Sequence, residues 1–151
     1  MTTSSEPRYV KPGKSTNIFN EAVATLTRAG VSIWGSRILA VRGRKSGEWR
    51  TTPVNPLTLN GERYLVAPRG ETQWVRNLRA AGGEAELLLG KKVEQFSSTE
   101  LADAEKPPVL RAYLKRWKAE VGVFFDGVSA TSPDADVERI APRHPVFRLG
   151  D

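Results

Sequence analysis

Asn60-Gly61 joins one run of apolar and β-branched residues, ending at Leu59, to another, Tyr64-Leu65-Val66-Ala67. Both turn residues tolerate left-handed backbone, which a two-residue β-turn demands, so the pair predicts a tight hairpin. The flanking segments then read as strands. Arg37 to Arg42 (RILAVR) forms one, Gly43 to Gly47 turns the chain, and Glu48 to Leu59 forms the next. Pro53 and Pro56 cannot both sit in a regular central ladder, so this second strand is expected to be bulged or to lie at an edge. A polar turn from Pro68 to Thr72 leads into a short helix carrying Trp74, Val75 and Leu78, which Gly82-Gly83 ends. Two more strands follow, Glu84 to Leu89 and Val93 to Ser98, joined at Gly90-Lys91. Five strands around one helix form the pattern of a small barrel. Beyond it, Pro107-Pro108 opens a helix with Val109, Ala112, Tyr113, Leu114, Trp117 and Val121 on one broad side. Phe124 and Phe125 fall in a loop, Ser132-Pro133-Asp134 opens a short helical segment, and His144 to Leu149 closes the chain as a sixth strand.

The start of the chain is of another kind. Residues 1–15, rich in Ser, Pro and Lys, read as a flexible arm. Ser15-Thr16-Asn17 can cap a helix whose apolar positions are Ile18, Phe19, Ala22, Val23, Leu26 and Ala29. That helix packs on the core or lies on a membrane surface. Residues 16–151 are expected to form a single domain, large enough for a sizeable core at 39% hydrophobic residues. The chain has no cysteine, which excludes disulfides and thiolate chemistry and suits a reducing cytoplasm. No apolar run approaches the ~20 residues of a spanning helix.

Charge is distributed unevenly. Of the 23 Lys and Arg, nine lie between Arg37 and Arg79 with only three acids, so the whole net charge of +6 falls in that window. A concentrated excess points to an anionic ligand held at one place. The sharpest motif inside it is Gly43-Arg44-Lys45-Ser46-Gly47. Two glycines four apart allow a tight turn in which backbone N–H groups and Ser46 face one anion while Arg44 and Lys45 supply charge. It is not a Walker A loop, since the spacing is wrong and a strand follows. Arg50 and Arg69 are placed to converge on the same spot. Trp74 and Asn77 lie three apart on a helix and so can bracket a planar heterocycle.

Side chains for classical catalysis are lacking. His144 is the only histidine, so a triad of histidines around a metal is impossible, and the residue reads as structural. Ser46 has no GxSxG elbow around it. If the protein is an enzyme, an organic cofactor carries the chemistry.

The run GRKSG-xx-R-xx-P-xx-PL, then GxRYLVAxRG, WxxNL and a terminal HPVFRL, spread over residues 18–149, resembles the deazaflavin-dependent nitroreductases of the flavin/deazaflavin oxidoreductase superfamily, an actinobacterial group. The resemblance implies an α+β, mainly β fold: a split β-barrel of the FMN-binding type, with about six mostly antiparallel strands and flanking helices. It implies coenzyme F-420, whose tail carries a phosphate and a polyglutamate. Arg44, Lys45, Ser46 and Arg50 would hold that tail, with Arg69 adding to the site. Pro53, Val54, Val66, Ala67 and Pro68 would lie along the deazaflavin ring, and Trp74, Asn77 and Leu78 would close its other side. Trp34, Tyr113, Phe124 and Phe125 would line the substrate. The reaction implied is hydride transfer from the reduced cofactor to a small-molecule acceptor (a quinone, a nitroaromatic or an activated enone), with no protein residue in the chemistry and no metal. A cytoplasmic protein is expected, with a membrane contact through the first helix and a homodimer both open. The other readings are a cofactor- or fatty-acid-binding protein without turnover and an FMN-dependent reductase. A nucleic-acid binder using the basic window fits neither the hairpin nor the barrel pattern.

Overall fold

The computed structural model describes residues 36–150, the side chains of 118–121 excepted. The arm over 1–15, the helix expected from Ile18 to Ala29 and Trp34 lie outside the described residues. Seven strands follow one another: β1 (Arg37–Arg42), β2 (Trp49–Val54), β3 (Leu57–Leu59), β4 (Glu62–Val66), β5 (Glu84–Leu89), β6 (Lys92–Glu100) and β7 (Val146–Gly150). Three helices accompany them: α1 (Gln73–Ala80), α2 (Pro107–Val121) and α3 (Asp134–Ile140).

The seventh strand comes from the run expected as one, Glu48 to Leu59. It breaks at Asn55-Pro56, and its two pieces go to opposite ends of the sheet, whose order is β2-β1-β5-β6-β7-β4-β3. Pro56 has no N–H to give a ladder, so the chain leaves one edge there and joins the other. Two residues reach only about 10 Å. The sheet must therefore curl until its ends stand close together, a barrel split between β2 and β3. All its pairings are antiparallel. The hairpin at Asn60-Gly61 forms as expected, with Leu59 opposite Glu62 and φ of 52° and 81° at the two turn residues.

Strand alternation divides the core in two. Leu39, Val41, Leu65, Leu87, Phe96 and Phe147 face the barrel interior, which α1 closes with Val75 and Leu78. Val66 and Val146, the strand neighbours of Leu65 and Phe147, face the opposite side. There α2 and α3 cover them with Val109, Leu110, Tyr113, Leu114, Trp117 and Ile140. Trp117 also departs from helical backbone, at φ −118° and ψ 16°. Its indole N–H donates to the Pro56 carbonyl at 3.3 Å, so α2 is tied to the point where the barrel splits.

Candidate functional site

The GRKSG turn forms between β1 and β2. The Gly43 amide donates to Glu48 O and the Gly47 amide to Gly43 O, both at 2.8 Å. Gly47 sits at φ 75°, which favours glycine, and a Cβ on Gly43 would stand 3.0 Å from Ser46 Oγ, a tight approach. Part of the backbone expected to face an anion is committed to the fold. The Arg44 amide donates to Asn77 Oδ1 at 3.0 Å, and the Glu48 amide to Ser46 Oγ at 3.1 Å. The Lys45 and Ser46 amides have no partner among the described residues, so these two N–H groups and the side chains are left to meet a ligand. Ser46 Oγ accepts from Glu48 and, at 3.4 Å, from Arg50 Nη2, so its own proton is left to donate.

Asn77 plays a different part from the one its sequence position suggested. It is buried, and its Oδ1 accepts from both the amide and Nη1 of Arg44, the latter at 2.8 Å. Gln73, one helical turn earlier, accepts from the same Nη1 at 2.9 Å. Two neutral amides on α1 thus aim the guanidinium without neutralising it. Trp74, on the same helix, is half-buried against Phe147, with ring centroids 5.9 Å apart.

These groups border a cleft of about 1000 Å³. It lies at the seam between the two halves of the core, since Val54 and Trp74 belong to the barrel cluster and Val66 and Tyr113 to the helical one. Of the residues expected in the site, the fold brings thirteen to this lining: Arg44, Lys45, Ser46, Arg50, Pro53, Val54, Val66, Pro68, Arg69, Trp74, Asn77, Tyr113 and Phe124. Three expected residues lie elsewhere. Ala67 and Leu78 are sealed in the barrel core, and Phe125 is turned inward to stack on His144, with ring centroids 4.2 Å apart. In each case a neighbour on the chain lines the cleft in its place: Val66 and Pro68 beside Ala67, Asn77 beside Leu78, and Phe124 beside Phe125. Gly43 of the GRKSG motif lines it too, and Ser36, Val41, Thr51, Thr52, Asn55, Thr72 and Gln73, which escaped the sequence reading, complete the lining. Thr51-Thr52 lies between Arg50 and Pro53 on a strand already identified, and Gln73 stands four residues before Asn77, so each carried a positional signal.

Charge around the cleft is one-sided. Arg44, Lys45, Arg50 and Arg69 line it and no Asp, Glu, His or Cys does. None of the four forms an ion pair with a described residue. Two other cations of the same basic window are paired: Arg63 with Glu94, and Arg79 with Glu71 and Glu100. Arg69 instead lies over the Phe124 ring, 4.9 Å from its centroid, at the exposed mouth. His144 is not in the lining. Burial lowers its pKa, and its Nδ1 hydrogen donates to the Ala67 carbonyl at 3.2 Å. Among the described residues no cluster of acids and histidine could hold a metal ion, and no helix is long and apolar enough to cross a membrane.

The donor set suits a long ligand with an anionic end and a planar end: four cations without an ion pair among the described residues and a hydroxyl donor on one side, Val54, Val66, Pro68 and Trp74 on the other. Solved structures show the same fold. An F420-H2 dependent reductase (FDR-A) is 21% identical, with 77% of this chain and 94% of that one covered and a TM-score of 0.50. Atu2129 of Agrobacterium tumefaciens, of unknown function, is 19% identical over 85% of this chain and 53% of its own, with a TM-score of 0.54. The conserved hypothetical protein Rv2991 of Mycobacterium tuberculosis is 17% identical over 81% and 78%, at 0.52. No curated protein matches the chain. The sequence pattern of one family spans residues 16–131, and by that match the chain belongs to the F420H(2)-dependent quinone reductase family.

Proposed function

We propose that this protein uses reduced coenzyme F-420 to reduce a quinone in the cleft between α1, β2 and α2. One observation carries the reading: among the described residues the lining holds four cations with no carboxylate and no histidine. Arg44, Lys45, Ser46 and Arg50 bind the phosphate and the acidic tail through charge-assisted bonds, each worth roughly 1.5–3 kcal/mol. Pro53, Val54, Val66, Pro68 and Trp74 exclude water from the ring and fix its plane. When bound there, the reduced cofactor supplies a hydride, which the protein's own side chains cannot.

The same lining selects among acceptors. A quinone that gains a hydride becomes a hydroquinone monoanion, an aromatic phenolate that takes its proton from water and is favoured by nearby cations. An enone becomes an enolate that must be protonated on carbon, and a nitro group loses oxygen only with added protons. Both gain from a positioned general acid. This cleft offers Ser and Thr hydroxyls and Tyr113, which is only 1% exposed.

Steady-state oxidation of reduced F-420 by a naphthoquinone, a nitroaromatic and a cyclic enone tests the reading, with reduced FMN as the control donor. Quinone turnover should exceed the other two by about tenfold or more in kcat/KM, about 1.4 kcal/mol of barrier. An enone or nitroaromatic reduced faster than the quinone, or equal use of FMN, would overturn it.

A further inference from the structure

His144 stands directly behind the cleft without entering it. We propose that it is a positioning residue for the acceptor end, holding from behind both the turn that carries Pro68 and Arg69 and the segment that carries Phe124. The proposal rests on the functional reading above only in assigning that end to the acceptor.

Two contacts define the arrangement. The imidazole Nδ1–H donates to the Ala67 carbonyl at 3.2 Å, and that carbonyl also accepts the Gly70 amide at 3.1 Å. The two bonds close the turn from Ala67 to Gly70, whose middle residues, Pro68 and Arg69, line the cleft. A Cβ on Gly70 would stand 3.1 Å from Arg143 O, so the turn lies tight against the segment that bears the histidine. On its other side the ring stacks on Phe125 at 4.2 Å and 20°. Arg143 pairs with Asp126, and Phe125 follows Phe124 in the chain, so residues 143 and 144 grip the 122–127 segment at two points. Arg69 and Phe124 then meet across the mouth at 4.9 Å. One C-terminal dipeptide therefore sets the distance between two cleft elements that are 55 residues apart in sequence.

Packing alone does not account for the residue. His144 is 3% exposed, and its Nε2 is buried with no hydrogen-bond partner. Burying an unpaired ring nitrogen costs free energy that Phe or Leu would not. The compensating bond is the one to Ala67 O, which only a donor can make.

Two variants of the full chain separate the contacts. His144→Phe keeps the stack and deletes the donor; His144→Asn keeps a donor near the Nδ1 position and deletes the stack. In hydrogen exchange, His144→Phe should speed the Gly70 amide about tenfold and His144→Asn the Phe125 and Val128 amides, with β5 and β6 unchanged in both. The KM for a naphthoquinone should rise severalfold in both, and affinity for F-420 should fall by less, since the turn that His144 holds brings only Pro68 to the ring and no contact links His144 to the GRKSG turn. Uniformly faster exchange, or unchanged exchange at Gly70 and Phe125, would overturn the proposal. So would loss of a cooperative melt in both variants, which would make the residue a folding requirement. The exchange result stands even if the wild type binds no F-420, a failure that would count against the functional reading alone.

Discussion

Arg44 lies beside α1 and Arg79 in its last turn, and both are exposed and hydrogen-bonded on two sides. Arg79 is held by two carboxylates, Glu71 and Glu100. Arg44 is held by two neutral amides, Gln73 and Asn77. A carboxylate orients an arginine and cancels its charge; an amide orients it and leaves the charge for something else. The first arrangement ties α1 to β6, at the surface. The second stands at a cleft whose lining, among the described residues, holds four cations and no acid, and that asymmetry marks those four out in a chain with 23.

Substitutions can break this comparison. The largest effect should come from Arg44→Ala with Lys45→Ala, which removes two charge-assisted donors. The Kd for F-420 should rise by two orders of magnitude or more, roughly 3 kcal/mol or above, with little change in the denaturation midpoint. Asn77→Ala should act on both quantities. It strips the buried acceptor from the Arg44 amide, so titration should show roughly tenfold weaker F-420 binding, and urea unfolding a loss of about 1–3 kcal/mol. Arg79→Ala is the counterpart: about 0.5–1 kcal/mol of stability at most, because its bridges are exposed, and F-420 affinity within twofold. The hydrogen bond from Arg79 lowers the pKa of Glu71, so what that bridge contributes should fade only as pH falls below the usual carboxylate range near ~4.3.

His144 sharpens the contrast through pH. Desolvation lowers its pKa, outweighing Asp126, which raises it; Lys106 acts in the same direction as burial. In the unfolded chain the ring takes up a proton near ~6.5, and in the folded protein only at lower pH. The unfolded state therefore binds more protons below that value, so stability should be full above about pH 6.5 and decline as pH falls. Melting curves of wild type and His144→Phe across that interval should converge on the acid side. Parallel curves would show that the ring is not neutral in the fold.

Much of the architecture could be read from sequence because it is local. Asn60-Gly61 fixes its own hairpin, and the GRKSG turn sits where the glycines put it. The long-range features were hidden. Pro56 signalled an irregular strand, but only the closed sheet shows that β2 and β3 go to opposite edges. The basic window counted Arg63 and Arg79 with the rest, since their partners Glu94, Glu71 and Glu100 are brought to them by strand pairing and helix docking. Asn77 was placed on the right helix face, but the contact of its Oδ1 with Arg44, 33 residues away, could not be read from the sequence. Phe124 and Phe125 are adjacent, and nothing in the pair says which turns inward; the stack with His144 decides it.

The central claim is that uncompensated cations, and not the apolar wall alone, hold the cofactor. Calorimetric titration of the wild-type protein with F-420 and with the deazaflavin lacking phosphate and glutamates tests it most directly. Removing the tail should weaken binding by two orders of magnitude or more, roughly 3 kcal/mol, and Arg44→Ala should shrink that difference while Arg79→Ala preserves it. Equal affinity of the wild type for the two ligands, or equal losses from Arg44→Ala and Arg79→Ala, would contradict it.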